Sequence, residues 1–225
     1  MIPTAPQIES LLNALPRKNA SSFRILRRQL SARLKDASGR SVIALAKRLV
    51  PVGFWERAMA YEILAFHRAA QAALTPNDVT LLGRGIEGWG EVDTFAGYVA
   101  GLAWRERKVP DSMIEGWARS PSRWWRRAAL VSTVPLNSRA HGGSGDAART
   151  LRICRMLLRD RDDMVVKALS WALRELSKRD RRAVESFVRK YQDVLPSRVR
   201  REVRNKLETG LKNPRRAGRF PSQRR

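Results

Sequence analysis

The sequence predicts an all-α fold, a HEAT-like helical-repeat solenoid with a concave basic face. Three observations lead there. Apolar residues recur at helical spacing along the chain, and strand-type alternation is absent. The helical segments are short and their connections are short. A pattern of apolar residue, spacer, base and Ala also returns in phase: Trp55-Glu56-Arg57-Ala58, Trp125-Arg126-Arg127-Ala128 and Val165-Val166-Lys167-Ala168. The midpoint between the first two falls close to Asp93, so Arg57, Asp93, Arg127 and Lys167 follow one another in steps of 36, 34 and 40 residues. A repeat of this length matches stacked helix pairs, in which every second helix lines one face and residues of equal phase form a row on it. Chance spacing of ordinary solvated bases is the alternative for such a row.

In chain order, helices are expected over 5–15, 22–36, 40–50, 54–73, 76–86, 89–106, 111–119, 122–134, 146–159, 163–178, 181–192 and 197–208. Start signals mark several of them. Thr75-Pro76, Val109-Pro110-Asp111-Ser112 and Ser120-Pro121 each place Pro or a capping residue where a helix can begin. Gly83, Gly85, Gly88 and Gly90 interrupt the helical pattern and allow close packing ahead of Trp89; no Gly-Lys-Ser/Thr follows them, so they form no phosphate-cradling loop. The stretch from Pro135 to Gly145, with Gly142-Gly143-Ser144-Gly145, reads as an exposed flexible loop. Val165, Val166, Leu169, Leu173 and Leu176 share one helical stripe. Asp162 and Asp163 at its start, and Lys178 and Arg179 at its end, suit the helix dipole. Residues 1–211 form one domain in this reading. Residues 212–225, with six bases and no acid, form a basic, disordered arm.

Composition narrows the partners. The 225 residues are 43% hydrophobic, enough for a sizeable core. No apolar window is long enough for a membrane span, and the first ten residues lack a signal-peptide layout. Cys154 is the only cysteine, which excludes an internal disulfide and favours a reducing, cytoplasmic setting. With His67, His141 and Cys154 as the only His and Cys residues, a zinc site is not expected; no metal or other cofactor is called for. The net charge of +24 calls for a polyanion, by default nucleic acid. Of the 45 basic residues only nine are Lys, and Arg offers a planar fork that fits phosphate oxygens.

One acid in a row of bases is the feature that suggests chemistry. Trp89 and Asp93 are one helical turn apart and share a face. A carboxylate beside an indole suits cleavage of a glycosidic bond, whose transition state is cation-like. The same pair also fits a core Trp with a surface acid. In Trp124-Trp125-Arg126-Arg127, the phase assigns Arg127 to the concave face and a phosphate, and Arg126 to solvent. Trp171 and Arg174 share a helical face and could stack on a nucleotide and hold its phosphate; core packing of Trp171 is the rival.

Three segments then resemble the AlkD-like DNA alkylation repair family of helical-repeat DNA glycosylases. They are Gly88-Trp89-Gly90-Glu91-Val92-Asp93, Trp124-Trp125-Arg126-Arg127-Ala128-Ala129-Leu130, and Val166-Lys167-Ala168-Leu169-Ser170-Trp171-Ala172-Leu173-Arg174-Glu175; the segment from Phe54 to Leu64 is a weaker match. The similarity covers about residues 20–208. It implies a basic concave face on duplex DNA and excision of positively charged N3- or N7-alkylated purines. It implies Asp93 near the lesion sugar, Trp89 and Trp171 as aromatic partners, and Arg127 and Arg174 on DNA. Arg57 and Lys167 would be supporting phosphate contacts. A Tyr that the family often supplies to the DNA face has no clear counterpart around Leu11 to Phe23. The expectation is therefore a monomeric, cytoplasmic, nucleoid-associated alkylpurine DNA glycosylase acting in base excision repair. A non-catalytic binder of duplex or branched DNA on the same scaffold is the alternative.

Overall fold

The computed structural model describes residues 2–214, and within them every regular element is helical. In chain order these are α1 (Ala5–Asn13), α2 (Ala20–Leu34), α3 (Gly39–Leu49), α4 (Phe54–Ala65), α5 (Arg68–Ala73), α6 (Pro76–Leu82) and α7 (Trp89–Phe95). A π-helical turn, Ala96–Ala100, runs on into α8 (Gly101–Arg105). Then come α9 (Asp111–Ala118), α10 (Arg123–Val131), α11 (Val134–Asn137), a 3-10 turn (Arg139–His141), α12 (Ala147–Met156), α13 (Asp163–Leu176), α14 (Arg181–Lys190) and α15 (Ser197–Thr209). The arm expected at 212–225 lies, from residue 215 onward, outside the described residues. No helix among them is long and apolar enough to cross a membrane.

The helices stack in a repeat. One row runs α2, α4, α7, α10, α13, α15, each packed on the next. A second row, with α1, α3, α9, α12 and α14 among its members, packs behind it. α4, α7, α10 and α13 begin at Phe54, Trp89, Arg123 and Asp163, which reproduces the spacing of the sequence motif. Apolar stripes fill the space between rows. Val165, Val166, Leu169, Leu173 and Leu176 of α13 are all buried, as their periodicity predicts. Asp162 caps that helix by accepting hydrogen bonds from the backbone N–H groups of Met164 and Val165.

Polar contacts tie successive repeats as well. Arg57 meets Glu91 at 3.5 Å, Arg126 meets Asp160 at 2.6 Å, and Arg198 meets Asp163, each pair about one repeat apart in sequence. Arg126, expected in solvent, is thus largely turned into the stack, because an acid of equal phase sits on the neighbouring repeat. Nearer the chain start, Asp78 accepts from Arg40 at 2.7 Å, from Lys47 at 2.5 Å and from the Thr75 backbone and hydroxyl, closing the capping box of α6.

Two expectations are corrected. The helix expected over 54–73 is two helices, broken at Phe66 and His67. His67 caps α5, accepting from the Ala70 N–H at 3.0 Å, while its other ring nitrogen meets the Leu34 carbonyl at 3.0 Å. The stretch 135–145 is an exposed loop only in part: it holds the end of α11 and the 3-10 turn, and Arg139, Ala140, Gly142, Ser144 and Gly145 are exposed. Pro135, Leu136, Asn137 and Gly143 are buried, and Arg179 donates to the carbonyls of Asn137 and Gly143 at 2.8 and 2.7 Å. Those bonds satisfy backbone oxygens that a loop would otherwise show to water.

Candidate functional site

Every candidate site residue lies on the first row: Arg57 on α4, Trp89 and Asp93 on α7, Arg127 on α10, and Lys167, Trp171 and Arg174 on α13. The glycines before α7 make its seat. A Cβ on Gly83 would lie 2.6 Å from the Trp125 ring and 2.7 Å from the Phe95 ring, so only glycine lets those aromatics close under the turn. Glu91 then caps α7 by accepting from the backbone N–H groups of Glu87 and Gly88 at 2.9 and 3.2 Å. This fixes the first turn, which carries Trp89 out into solvent at 64% exposure. Trp89 is not a core residue. Asp93, one turn on, is 21% exposed at its side chain.

The Asp93 carboxylate is gripped across the α7–α10 seam. Arg127 Nε donates to Oδ1 at 2.8 Å and Arg127 Nη2 to Oδ2 at 2.7 Å. Arg127 Nη1 donates to the Met164 carbonyl in the first turn of α13 at 2.6 Å. One guanidinium thereby joins three row helices and leaves the carboxylate a single orientation. Burial raises the Asp93 carboxyl pKa, and the Arg127 hydrogen bonds and charge pull against that rise. The outcome is a mostly buried carboxylate with both oxygens held by one guanidinium.

Arg127 is not placed to hold a phosphate. Its side chain is only 7% exposed and its fork is filled by Asp93. The shared phase of Asp93 and Arg127 was legible in sequence. Its meaning, that residues one repeat apart meet as acid and base, was not. Arg57 is likewise turned inward, donating to the Arg84 carbonyl at 2.8 Å and facing Glu91. Arg174 is mostly buried: its Nε donates to Ser170 Oγ at 3.2 Å and lies 3.9 Å from Glu202. Lys167 remains exposed beside Asp163, at 2.7 Å. Trp171 is half-buried, packed against the core from α13.

Two exposed cations missed in the sequence stand before α7 and at the start of α10. Arg84 precedes α7, and Arg123 opens α10 with its guanidinium over the Trp124 ring at 4.7 Å. Their place in the turn before α7 and at the first residue of α10 was the available signal. Phe23 is buried, with its ring 5.7 Å from that of Trp55, so it supplies no aromatic surface in place of the missing Tyr. Among the described residues no cluster of His, Cys, Asp or Glu is arranged to hold a metal ion.

No curated protein matches the chain. A family model described as DNA alkylation repair enzyme does match, over residues 23–207, which takes in α3 through α14 and nearly all of α15. The chain belongs to the family of DNA alkylation repair enzymes.

Proposed function

We propose that the protein is a DNA glycosylase that releases positively charged N3- and N7-alkylated purines from duplex DNA. The observation that carries this reading is the Asp93 carboxylate, fixed by Arg127 and still 21% exposed, one turn from the exposed indole of Trp89. Loss of a cationic base leaves a developing positive charge on the deoxyribose. A carboxylate already oriented toward that charge stabilises it without reorganising, and it can accept a proton from the attacking water. An alkylated purine that already carries a positive charge is a good leaving group, so the site needs no general acid for the base.

Trp89 supplies an aromatic face to the sugar and backbone of the lesion nucleotide, adding cation–π attraction to the same charge. Trp171 lines the next row helix but one. In this reading Arg127 is a positioning residue for Asp93. The exposed Arg84, Arg123 and Lys167 take the phosphates, with Arg57 and Arg174 shaping the surface behind them. The protein acts as a monomer on double-stranded DNA.

The test is release of 7-methylguanine from methylated duplex DNA. Wild-type protein releases the base and Asp93→Asn does not, while both bind the duplex. Equal release by the two proteins removes Asp93 from the reaction. Binding with no release by either identifies a DNA-binding protein without this chemistry.

A further inference from the structure

α15 closes the first row. Its Val199 and Val203 are buried, and Arg198 and Glu202 turn to α13, where they meet Asp163 and Ser170. Helical periodicity puts Arg200, Arg201 and Arg204 on the opposite side, and all three are exposed. Among the described residues they belong to no ion pair. The pairs of α15 are those of Arg198 with Asp163 and of Glu202 with Arg174 and Lys212.

Such a cluster is unfavourable in water. Arg200 and Arg204 are four residues apart and Arg201 and Arg204 three, so like charges face each other across one helical turn. The neighbouring helices place an acid at that spacing: Asp163 with Lys167 on α13 and Arg181 with Glu185 on α14, both at 2.7 Å. A terminal repeat needs a polar outer face, and mixed signs supply one without this repulsion. An anion held between the three guanidiniums removes it.

The three arginines, with Ser197 and Asn205, line a cleft of about 310 Å³ that has no acid and no apolar side chain in its wall. The Asn205 amide is turned to the Lys212 carbonyl at 3.0 Å, which leaves the guanidiniums and the Ser197 hydroxyl as donors. Arg200 and Arg204 also border a groove of about 400 Å³ between α14 and α15, where Arg189 adds an exposed guanidinium. The acids of that groove are Glu185, taken by Arg181, and Glu208. A protein partner calls for an apolar centre to its interface, and the cleft offers none. A phosphate backbone calls only for cations and donors, and the planar fork of Arg fits its oxygens. From Arg200 to Arg204 the helix rises about 6 Å, a length over which one DNA strand carries about two charges. Residues 215–225, next in the chain, carry five further arginines and no acid.

We propose that Arg200, Arg201 and Arg204 form a second phosphate-backbone site for duplex DNA, on the outer side of α15 and apart from the site around Asp93. The choice of DNA as partner rests on the reading given above; the site rests on the exposed, unpaired arginines and their cleft. The backbone it holds belongs either to a flank of the duplex engaged at Asp93 or to a second duplex, and the two present the same chemistry.

The experiment compares full-length wild type with two triple variants, in which Arg200, Arg201 and Arg204 are all replaced by Gln or all by Lys. On an unmodified duplex of about three helical turns, the Gln variant lowers the slope of log affinity against log salt by about 1.8 to 2.7, some 0.9 for each phosphate lost. The Lys variant keeps the slope, because charge sets it. Both release 7-methylguanine at the wild-type rate once saturated, and the Gln variant melts no lower than wild type, since the replaced side chains are exposed and repel one another. Saturation with a hairpin of about one helical turn separates the sources. Two hairpins per wild-type molecule and one per Gln variant identify a second duplex; one on each, with the slope on the long duplex reduced, identifies a flank. Equal slope and stoichiometry in wild type and the Gln variant overturn the site and leave the DNA reading in place. A Lys variant that loses the slope along with the Gln variant also overturns it. So does a polyglutamate peptide that binds wild type more tightly than a duplex of equal charge and loses that binding in the Gln variant, which marks an acidic protein as the partner. A wild type that binds no duplex overturns both readings.

Discussion

Arg127 and Asp93 meet through two parallel hydrogen bonds, Nε to Oδ1 at 2.8 Å and Nη2 to Oδ2 at 2.7 Å, although they lie 34 residues apart on α10 and α7. This clasp sets the orientation of the carboxylate, and lysine cannot reproduce it. A single ammonium point charge lacks the planar fork. Arg127→Lys is expected to lower kcat for base release by about 10- to 100-fold with little change in KM, since the ground-state contacts to DNA stay. Arg127→Ala goes further, leaving a mostly buried carboxylate without its partner and costing about 3 kcal/mol of stability. Chemical denaturation and steady-state kinetics on both variants separate the two effects.

The pH profile follows from the same pair. Burial raises the Asp93 carboxyl pKa, with Arg127 opposing. In the proposed reaction only the ionised form stabilises the sugar cation, so the rate is expected to fall as pH drops through that raised pKa. The acid limb of kcat is expected above the ordinary Asp pKa of about 3.9. The sign for stability is opposite. The native state binds this proton more readily than the unfolded chain does, so the stabilisation is present at low pH and is lost as pH rises through the folded pKa. A pH series of wild-type kcat reads the first dependence; melting temperature against pH for wild type and Asp93→Asn reads the second, which the variant lacks.

Phosphate contact is expected from the exposed cations rather than from the buried ones. Arg84→Ala, Arg123→Ala and Lys167→Ala should each lower the slope of log affinity against log salt by about 0.9. Arg57→Ala and Arg174→Ala should weaken the fold more than they change that slope, because their guanidinium groups are spent inside the protein. Duplex binding titrated across salt concentrations checks all five.

Asp78 anchors the first repeats. Arg40, Lys47 and Thr75 all bond to it and hold its carboxyl well below the usual range, against the opposing effect of burial. Its stabilisation is present above the unfolded pKa of an Asp and is lost as pH falls through the folded value. Asp78→Ala is expected to cost about 2 kcal/mol, roughly half from the helix cap and half from partly exposed ion pairs. Urea titrations near neutral pH and in acid test this, and the two proteins should converge in acid.

Periodicity made the stack legible. The stripe on α13 and the returning phase of Arg57, Asp93, Arg127 and Lys167 follow from apolar spacing and repeat length, and they placed every candidate on one row. The break between α4 and α5 was hidden because Ala-rich sequence favours helix on both sides of it, and only the tertiary contact from His67 to Leu34 shows the turn. The glycines of 135–145 gave its exposed part and hid the buried one at Pro135, Leu136, Asn137 and Gly143. What orders it comes from far along the chain: Arg179, and Thr150, whose hydroxyl accepts from the Asn137 side chain at 2.9 Å. At the site the types were legible and the pairings were not. A base in phase with an acid looked like a phosphate ligand until the adjacent helices brought the two together.

The Met164 bond has a mechanical meaning. One guanidinium spans α7, α10 and α13, so the aim of the carboxylate depends on the tilt between three consecutive repeats. Superhelical arrays flex by small rotations at each seam. A twist at these seams would turn the Asp93 carboxylate with it, so the proposed site would register the relative tilt of α7, α10 and α13.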